Sequence, residues 1–390
     1  ENSSQLARRN RKGVNGLFGG KTAERQVSIM SGTNTWLKLK ASSKYEACPY
    51  FLDKKNRVWR LPYTLTLNHT AEEIMATCQN ALQLEKRLKK LAAPVLARLG
   101  LKRNNLNAPW FLPENMSLKN FIKTSPYVFI GLHGGMGENG VIQKKLEQAK
   151  IPFNGSNSAA SKLCMNKLAT GWSLAGLEKH GIYTAKKKVG ELNLLKRLAK
   201  NKTRLKKFWR AAQKNLGSPT IIIKPIDDGC SAGIARLYAA GDLKTYLNYA
   251  LKQAASIPEG QITNQHGIIE MPARAMKRIM LEKFIATDKV QAADNKIKWQ
   301  KNTGWIETTI GLLCLKGRLV ALNPSLTVAL GNVLTLEEKF QGGTGVNITP
   351  PPAPFVRAAA VRAAKKRAEI VAQVLNINGF NYTNPILERV

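Results

Sequence analysis

The sequence predicts an α/β fold, in which short apolar strands alternate with glycine-rich turns and helices. Residues 131–167 carry most of this pattern: GLHGGMGENGVIQKKLEQAKIPFNGSNSAASKLCMNK. The apolar run 127–132 predicts a strand, and the spacing of apolar residues over 141–150 predicts a helix. A second short strand over 151–154 and a small-residue turn into another helix follow. Strands and helices in this order are typical of the α/β enzymes that use nucleotides.

The loop between the first strand and its helix is the best candidate for a site. Four glycines surround His133 and Glu138 between residues 133 and 140. Glycine at this density indicates a backbone that turns sharply or approaches another group closely.

The length of the chain limits the number of domains, and its charge indicates the class of partner. A chain of 390 residues can form two or three domains. Its 61 Lys and Arg against 25 Asp and Glu give a net charge of +36. Such an excess indicates a polyanionic partner, most simply RNA or DNA, although a merely solubilising surface is an alternative. Five scattered cysteines without a C-x-x-C pair argue against a disulfide framework or a zinc site and favour a reducing compartment.

The first 13 residues are basic. They contain Arg8, Arg9, Arg11 and Lys12 against one acidic residue. Two interpretations stay open, the remainder of an organellar targeting segment and an RNA-binding arm.

The elements before the glycine loop are predicted in order. An apolar strand from residue 14, then Gly19-Gly20, then a helix to about residue 39 has the outline of an anion site. Residues 62–67 are predicted as a strand, and 71–101 as mainly helical with an interruption at Pro94.

Residues 192–214 predict an amphipathic helix with one apolar stripe and one basic face. The stripe consists of Leu194, Leu198, Leu205, Phe208 and Ala212. Nine basic residues and no acidic one lie between positions 196 and 214: Lys196, Arg197, Lys200, Lys202, Arg204, Lys206, Lys207, Arg210 and Lys214. We expect this face to contact RNA phosphates. Binding to a membrane surface is the competing interpretation, but aromatic residues are few.

The remaining elements continue the α/β pattern. Strands are predicted over 219–225, 279–285 and 305–323, the last as a pair joined at Lys316-Gly317, with a small-residue loop over 226–235 that could cover phosphates. A helix over 354–375 carries further basic residues, of which Lys365, Lys366 and Arg367 are candidate RNA contacts.

Five motifs in one order resemble the D-alanine–D-alanine ligase family, whose fold is the ATP-grasp. They are FGGKTAERQVS at 18–28, HGGMGENGVIQ at 133–143, GSNSAAS at 155–161 with MNK at 165–167, IKP at 223–225 with GCS at 229–231, and EK at 282–283. The loop over 339–352 is most similar to the plant and algal branch.

The resemblance implies an activity and roles for the matching residues. In such ligases ATP phosphorylates the carboxylate of one D-alanine. The amine of a second D-alanine then attacks the acyl phosphate that results. Glu24 would hold the ammonium group of the first substrate. The positions matched to ATP binding are Lys167, Lys224, Ser231, Glu282, Lys283 and Lys339.

Other positions depart from the family pattern. Tyr382 stands in place of a catalytic arginine and Asn384 in place of a metal-binding aspartate. Further departures are Cys230, Lys289, Phe340 and Asn166. The chain also ends before the strand that carries the family's second metal motif. Magnesium requires carboxylate ligands, so no magnesium site and no resident cofactor are expected, although ATP could still bind.

These observations together predict a catalytically inactive homologue, not an enzyme, that binds RNA as a structural subunit. We expect rRNA and neighbouring proteins of an organellar ribosome as partners, mitochondrial rather than plastid, and no membrane. The alternative is an active ATP-dependent D-alanine–D-alanine ligase. The predicted divisions are a basic arm (1–13), an N-terminal domain (14–160), a central lobe (161–283) and an incomplete C-terminal domain (284–390), with ATP between the last two.

Overall fold

A computed structural model describes residues 11–67, 69–100, 112–227, 232–272, 274–293, 296–328, 346–353, 355–383 and 386–388. The chain divides into two compact units, residues 1–158 and 159–390. The finer division of the second unit into a central lobe and a C-terminal domain stays a prediction.

The first unit is a five-stranded sheet with helices. Its strands are β1 (Lys12–Gly19), β2 (Tyr45–Leu52), β3 (Arg57–Arg60), β4 (Glu114–Ser117) and β5 (Val128–Ile130). Its helices are α1 (Arg25–Ala41), α2 (Tyr63–Thr66), α3 (Ala71–Gln79), α4 (Ala81–Arg98), α5 (Leu118–Thr124) and α6 (Val141–Gln148). The helix α7 (Ser158–Met165) begins at its last residue.

The strand order of this sheet is β4-β3-β2-β1-β5. The central strand β1 runs parallel to both β2 and β5, whereas β3 and β4 are antiparallel additions at one edge. Leu17 and Phe18 of β1 are fully buried and pack into two hydrophobic clusters, which include Val128 and Phe51 respectively. The sheet therefore has a buried parallel centre, as its near-continuous apolar strands indicate.

Two strand predictions in this unit were wrong. Residues 62–67 form the short helix α2, because the Thr66 hydroxyl and the Leu65 amide both bond back to the Pro62 carbonyl. Residues 151–154 form only an isolated bridge between Val128 and Phe153. Pro152 has no amide hydrogen to donate, and the Asn154 side chain occupies both the amide and the carbonyl of Ile130 instead.

Pro94 does not interrupt its helix as predicted. It lies inside α4, which continues to Arg98. No residue of α4 is buried, and loss of one hydrogen bond in a solvated helix rich in Leu, Lys and Ala does not end it.

The second unit contains mixed sheets and helices. Its strands are β6 (Lys187–Glu191), β7 (Ile221–Pro225), β8 (Ala235–Leu237), β9 (Ser256–Ile257), β10 (Ile269–Glu270), β11 (Arg278–Lys283), β12 (Lys289–Ala293), β13 (Lys296–Gln300), β14 (Trp305–Leu315), β15 (Arg318–Ala321), β16 (Ser325–Val328), β17 (Val346–Ile348), β18 (Phe380–Thr383) and β19 (Ile386–Glu388). Its helices are α8 (Lys167–Ser173), α9 (Leu192–Ala199), α10 (Lys202–Leu216), α11 (Ala240–Leu251) and α12 (Ala358–Val374).

Two sheets organise this unit. The first is antiparallel, in the order β6-β11-β7-β8, and its core includes Ile223, Leu281 and the fully buried Tyr246 of α11. The second has β14 at its centre, paired with β15, β16, β18 and β19, and Ala368 of α12 belongs to its core. The strand pair predicted around Lys316-Gly317 is confirmed as β14 and β15.

The predicted basic helix over 192–214 is two helices, α9 and α10. Asn201 divides them, because its side chain accepts a hydrogen bond from the Arg204 amide and caps α10. Leu194, placed in the predicted stripe, is instead 55% exposed, and Leu192 and Leu195 are buried in its place.

Across the residues with described structure, none of the helices combines the length and the apolar character needed to cross a bilayer.

Candidate active site

The carboxyl ends of β1 and β5 meet at one edge of the first sheet. These neighbouring parallel strands continue in different directions, β1 into α1 and β5 into the glycine loop over 131–140. Such a point in a parallel sheet opens a crevice, and ligands of α/β proteins commonly bind there. The topology therefore brings together two loops that are distant in the sequence, one carrying Glu24 and the other His133.

Three hydrogen bonds, made by two hydroxyl groups, hold these segments together. Ser28 donates to the Gly131 carbonyl at 2.7 Å and accepts from the Gly19 amide at 2.8 Å. The Thr22 hydroxyl donates to the His133 carbonyl at 2.8 Å. Ser28 lies on α1 and Thr22 in the loop before it, so two short side chains of this segment fix the backbone of the loop after β5 and the end of β1.

Glu24 lies at the first turn of α1 and is 6% exposed. The backbone of the glycine loop presses against it. Gly134 has φ +65, and a Cβ there would lie 2.7 Å from Glu24 Oε1. Gly135 has φ +48, and its Cβ would lie 2.9 Å from Thr22 Cγ2. The predicted reason for the glycines is thus confirmed: the loop needs both left-handed backbone and room for a close approach.

His133 and Glu138 lie beside Glu24. The ligand atoms of these three side chains lie within 4.8 Å of one another, and no other described residues form such a group of three. Burial lowers the pKa of His133 below its ordinary value of 6.5, although the Glu138 charge acts in the opposite direction. The imidazole is therefore neutral at physiological pH, between two carboxylates.

Ser31 of α1 contacts that imidazole. Its hydroxyl donates to the Val27 carbonyl at 2.7 Å and lies 2.8 Å from His133 Nε2. This contact holds the ring in place from the side of α1, whichever ring nitrogen carries the proton.

A second cluster of charges lies in the other unit, on the sheet β6-β11-β7-β8. Glu282 of β11 is 8% exposed, and its two oxygens bind different lysines. Lys187 Nζ is 3.0 Å from Oε1, and Lys224 forms an ion pair with Oε2. Lys187 is the register partner of Glu282, and Lys224 is a diagonal neighbour across the other edge of β11. The three side chains therefore share one face of the sheet.

Lys167 is directed toward the same region by α8. Its amide donates to the Ile226 carbonyl at 2.9 Å, which anchors the start of α8 near the end of β7. Gly171 follows one turn later, and a Cβ there would lie 2.7 Å from Lys187 Nζ. Lys167 and Gly171 are four residues apart and lie on one side of the helix. Asn166, a departure from the family pattern, caps α8 through the amides of Leu168 and Ala169.

Several predicted site residues cannot be placed. Cys230, Ser231, Lys339, Phe340 and Asn384 lie outside the described residues, as do Arg8 and Arg9. Tyr382 lies on β18, where its backbone pairs with Gly311 of β14. Lys283 is exposed, and Lys289 begins β12 and is exposed. The roles predicted for all of these residues stay predictions.

The basic residues predicted to contact RNA differ in their surroundings. Arg11, Lys12 and Lys366 are exposed. Arg367 Nε donates to the His180 carbonyl at 3.2 Å, and Lys365 Nζ donates to the Asn323 side chain at 3.4 Å. These last two side chains therefore also serve contacts within the protein.

Sequence reasoning missed Lys187, Ser28 and Ser31. Ser28 and Ser31 follow the matched Glu24 by four and seven residues, which places them on one face of α1. That spacing could have indicated them. Lys187 gave no such signal, because its closeness to Glu282 depends on the register of β6 against β11.

Comparison with known proteins identifies relatives of this arrangement. Residues 14–156 match the family model "D-ala D-ala ligase N-terminus". The chain is 33% identical over 116 residues to the D-alanine–D-alanine ligase of Polynucleobacter asymbioticus, covering 30% of this chain and 29% of that protein. It is 26% identical over 221 residues to the ligase of Thermosipho melanesiensis, covering 57% and 51%. The chain thus spans about half or less of the length of these curated relatives.

These relatives overturn one prediction. The chain was expected not to be an enzyme, because Tyr382 and Asn384 replace family residues. The proteins it resembles are themselves named as enzymes, D-alanine–D-alanine ligases. Two substitutions near the C-terminus are a weaker guide than the match across the first unit, which includes the pocket around Glu24.

The solved structures extend the likeness to both units. The D-alanine–D-alanine ligase of Coxiella burnetii has a TM-score of 0.56 at 16% identity, covering 97% of this chain and 85% of that one. At this identity the likeness shows the fold alone, and it confirms the predicted ATP-grasp class. Residues 14–156 thus match the N-terminal domain of the D-alanine–D-alanine ligase family, and both units of the chain share the fold of these ligases.

Proposed function

We propose that this protein is an ATP-dependent carboxylate–amine ligase that joins two D-amino acids, D-alanine being the first candidate. The observation that carries the proposal is the buried Glu24, held against the glycine loop beside His133 and Glu138. The names of the curated relatives supply the reaction class.

The pocket around Glu24 is suited to an ammonium group. Two carboxylates within 4.8 Å of a neutral imidazole concentrate negative charge in a protein of net charge +36. A primary ammonium has three donors, and the carboxylates of Glu24 and Glu138 are acceptors for it. Charge-assisted hydrogen bonds of this kind are about twice as strong as neutral ones. The pocket would therefore bind an amino acid through its amine.

The lysine cluster of the second unit is suited to a nucleotide triphosphate. ATP, when bound, supplies the phosphoryl group that activates a carboxylate. Lys224 and Lys187 would contact its phosphates, and Lys167 lies at the start of the helix that covers them. Glu282 keeps the two lysine side chains in place until phosphate oxygens replace its own.

The described residues do not fit a magnesium site beside these lysines. Magnesium prefers carboxylate oxygens in an octahedral arrangement. Among residues whose structure is described, the one group of three candidate ligands is the pocket of Glu24, in the other unit.

The test is ligation by the purified protein. Phosphate release and dipeptide formation are measured with ATP and D-alanine, with L-alanine as the substrate control. We expect D-alanine-dependent release, and Glu24→Gln should lower kcat/KM for D-alanine roughly 100-fold, since it removes one partner of a buried charge pair. Glu46→Gln changes an exposed glutamate of β2 and should be neutral. Wild-type release that D-alanine does not stimulate would overturn the proposal.

We also propose that the protein binds RNA and works within a large ribonucleoprotein, the organellar ribosome, in the mitochondrion rather than the plastid. The observation that favours this second function is the net charge of +36, far beyond what a pocket for small anions requires. Sedimentation of the native protein tests it. We expect it in large particles at low salt and in free fractions after ribonuclease treatment. Sedimentation as a free protein without ribonuclease would contradict it.

A further inference from the structure

The nine basic residues of α9, α10 and their junction form one exposed surface, called here the α9–α10 basic face. Its members are Lys196, Arg197, Lys200, Lys202, Arg204, Lys206, Lys207, Arg210 and Lys214, and all nine are exposed. No acidic residue occurs between Leu192 and Ile226. A helix surface that is only solvated usually mixes both signs of charge.

The apolar side of the same helices is buried in the protein's own core. Leu195 of α9 and Leu205, Trp209, Ala212 and Leu216 of α10 are at most 6% exposed, and they pack with strands of the sheet β6-β11-β7-β8 and with α11. A helix bound to a membrane surface inserts its apolar side between lipids. Since α10 has no such side to offer, the competing membrane interpretation loses its physical basis.

The cations of α10 form a row along the helix. Lys202, Lys206, Arg210 and Lys214 are spaced four residues apart, so each lies one turn from the next and the row is about 18 Å long. Like charges at this spacing repel each other. This repulsion therefore destabilises the isolated helix. A bound anion of similar length would reduce it by neutralising the cations.

Within the described part of the chain, no ion pair with a carboxylate relieves this repulsion. Among the described residues, none of the nine forms an ion pair with an acidic residue. Elsewhere in the described chain, acidic residues form ion pairs with nearby cations. Lys89 pairs with Glu85 one turn earlier on α4, and Arg25 pairs with Glu72. The α9–α10 basic face is thus left for an external partner.

We infer that the α9–α10 basic face is the surface on which this protein holds RNA, by contacts to successive phosphates of the backbone. Lysine and arginine at several points along one line match a chain of phosphates and read no base edges. Binding here is independent of RNA sequence and strongly dependent on salt. The inference rests on the proposed RNA association and adds where the contact is made.

The test compares two triple variants that remove the same charge. The row variant is Lys202→Gln, Lys206→Gln and Arg210→Gln. The control variant is Lys38→Gln, Lys144→Gln and Lys145→Gln, three exposed lysines of the other unit. Glutamine has a helix propensity similar to that of lysine and arginine, and the buried side of α10 is untouched. Equal urea midpoints and circular dichroism spectra confirm that both variants fold.

Binding is measured by fluorescence anisotropy of a labelled single-stranded RNA oligonucleotide, at salt concentrations between about 50 and 200 mM. The row variant should lose affinity roughly tenfold or more at the lowest salt. Its slope of log K against log salt should fall by about 2, as expected for three lost phosphate contacts on a single strand. The control variant should keep the wild-type slope.

The other outcomes separate the two claims. Equal losses of RNA affinity in the row and control variants, with wild-type binding intact, would overturn the assignment of this surface as the RNA contact. The proposed RNA association itself would remain. Wild-type protein that binds no RNA would overturn both. Binding of the wild type to phosphatidylserine vesicles but not to RNA, abolished in the row variant, would identify the face as a membrane contact and overturn the inference.

Discussion

Glu282 Oε1 lies 3.0 Å from Nζ of Lys187, its register partner on β6, while the other Glu282 oxygen holds Lys224. One nearly buried carboxylate thus keeps two cations on a single face of the sheet. The pairing explains how lysines that would meet phosphates stay ordered before a nucleotide arrives. It also identifies Lys187 as a residue whose contribution can be measured separately from that of Lys224.

Lys187→Met should weaken nucleotide binding roughly tenfold, equivalent to about 1.4 kcal/mol. The variant removes one cation that would contact the phosphates. It also leaves Glu282 bound to Lys224 alone, so Lys224 leaves Glu282 less readily to bind a phosphate. Titration calorimetry with a non-hydrolysable ATP analogue measures the change. Lys188→Met is the matched control, because Lys188 is the next residue on β6 and lies 5.4 Å from the Phe208 ring on the opposite face. Equal losses in both variants would contradict the role of Lys187.

Gly134→Ala should destabilise the first unit by about 2–4 kcal/mol. The variant combines backbone strain of about 1–3 kcal/mol with a clash of the new Cβ against Glu24, because φ +65 with ψ −179 is a conformation that glycine alone adopts readily. Gly100→Ala is the control for a positive φ without a clash, because Gly100 has φ +62 and a Cβ added there would meet nothing within 4 Å. In urea unfolding, the control should lose less free energy of unfolding than Gly134→Ala. Equal free energies of unfolding in the two variants would show that the loop moves away from Glu24 without cost.

The stability of the protein should depend on pH through His133. Burial lowers the pKa of His133 in the folded state, so the unfolded chain binds the proton more readily. The contribution of the neutral, buried ring is complete above the ordinary value of 6.5 and is lost as pH falls below it. The free energy of unfolding should therefore fall more steeply below this pH in the wild type than in His133→Gln. Parallel curves for the two proteins would refute this assignment.

The thiol of Cys78 should resist alkylation in the folded protein. Burial raises the pKa of Cys78 to about 12, with a smaller contribution from the charge of Asp53. The thiolate is the reactive form, and Cys78 is 2% exposed whereas Cys164 is exposed. Iodoacetamide at mildly alkaline pH, followed by peptide mass spectrometry, should label Cys164 first and Cys78 only as the first unit unfolds. Labelling of both at one rate without urea would be inconsistent with this core.

Local patterns were the more predictable part of the fold. The glycine loop over 133–140, the strand over 219–225 and the pair around Lys316-Gly317 were recognised because apolar spacing and glycine are local signals. The strand predicted over 62–67 failed for a related reason. A run of six apolar and hydroxyl residues does not distinguish a strand from a turn of helix, and the Thr66 hydroxyl bonded to the Pro62 carbonyl decided it.

The site was predictable only in part. Glu24 and Lys224 were found through the family's motifs, which carry their roles along the sequence. Ser31 and Lys187 were not found, because neither lies in a motif. Ser31 acts on His133 across two loops, and Lys187 reaches Glu282 through strand register. Side chains of this kind become visible only when the elements that carry them are paired in space.

The sequence by itself determined the class of fold, the resemblance to the D-alanine–D-alanine ligases, the large positive charge and the spacing of the cations on α10, since each depends on composition or on local motifs and spacing. The tertiary structure decided which side chains meet. It placed Glu24 against Gly134 because β1 and β5 end side by side, and it paired Glu282 with two lysines because β11 lies between β6 and β7. It also used the apolar side of α10 for the core, since burying that side removes the most apolar surface from water.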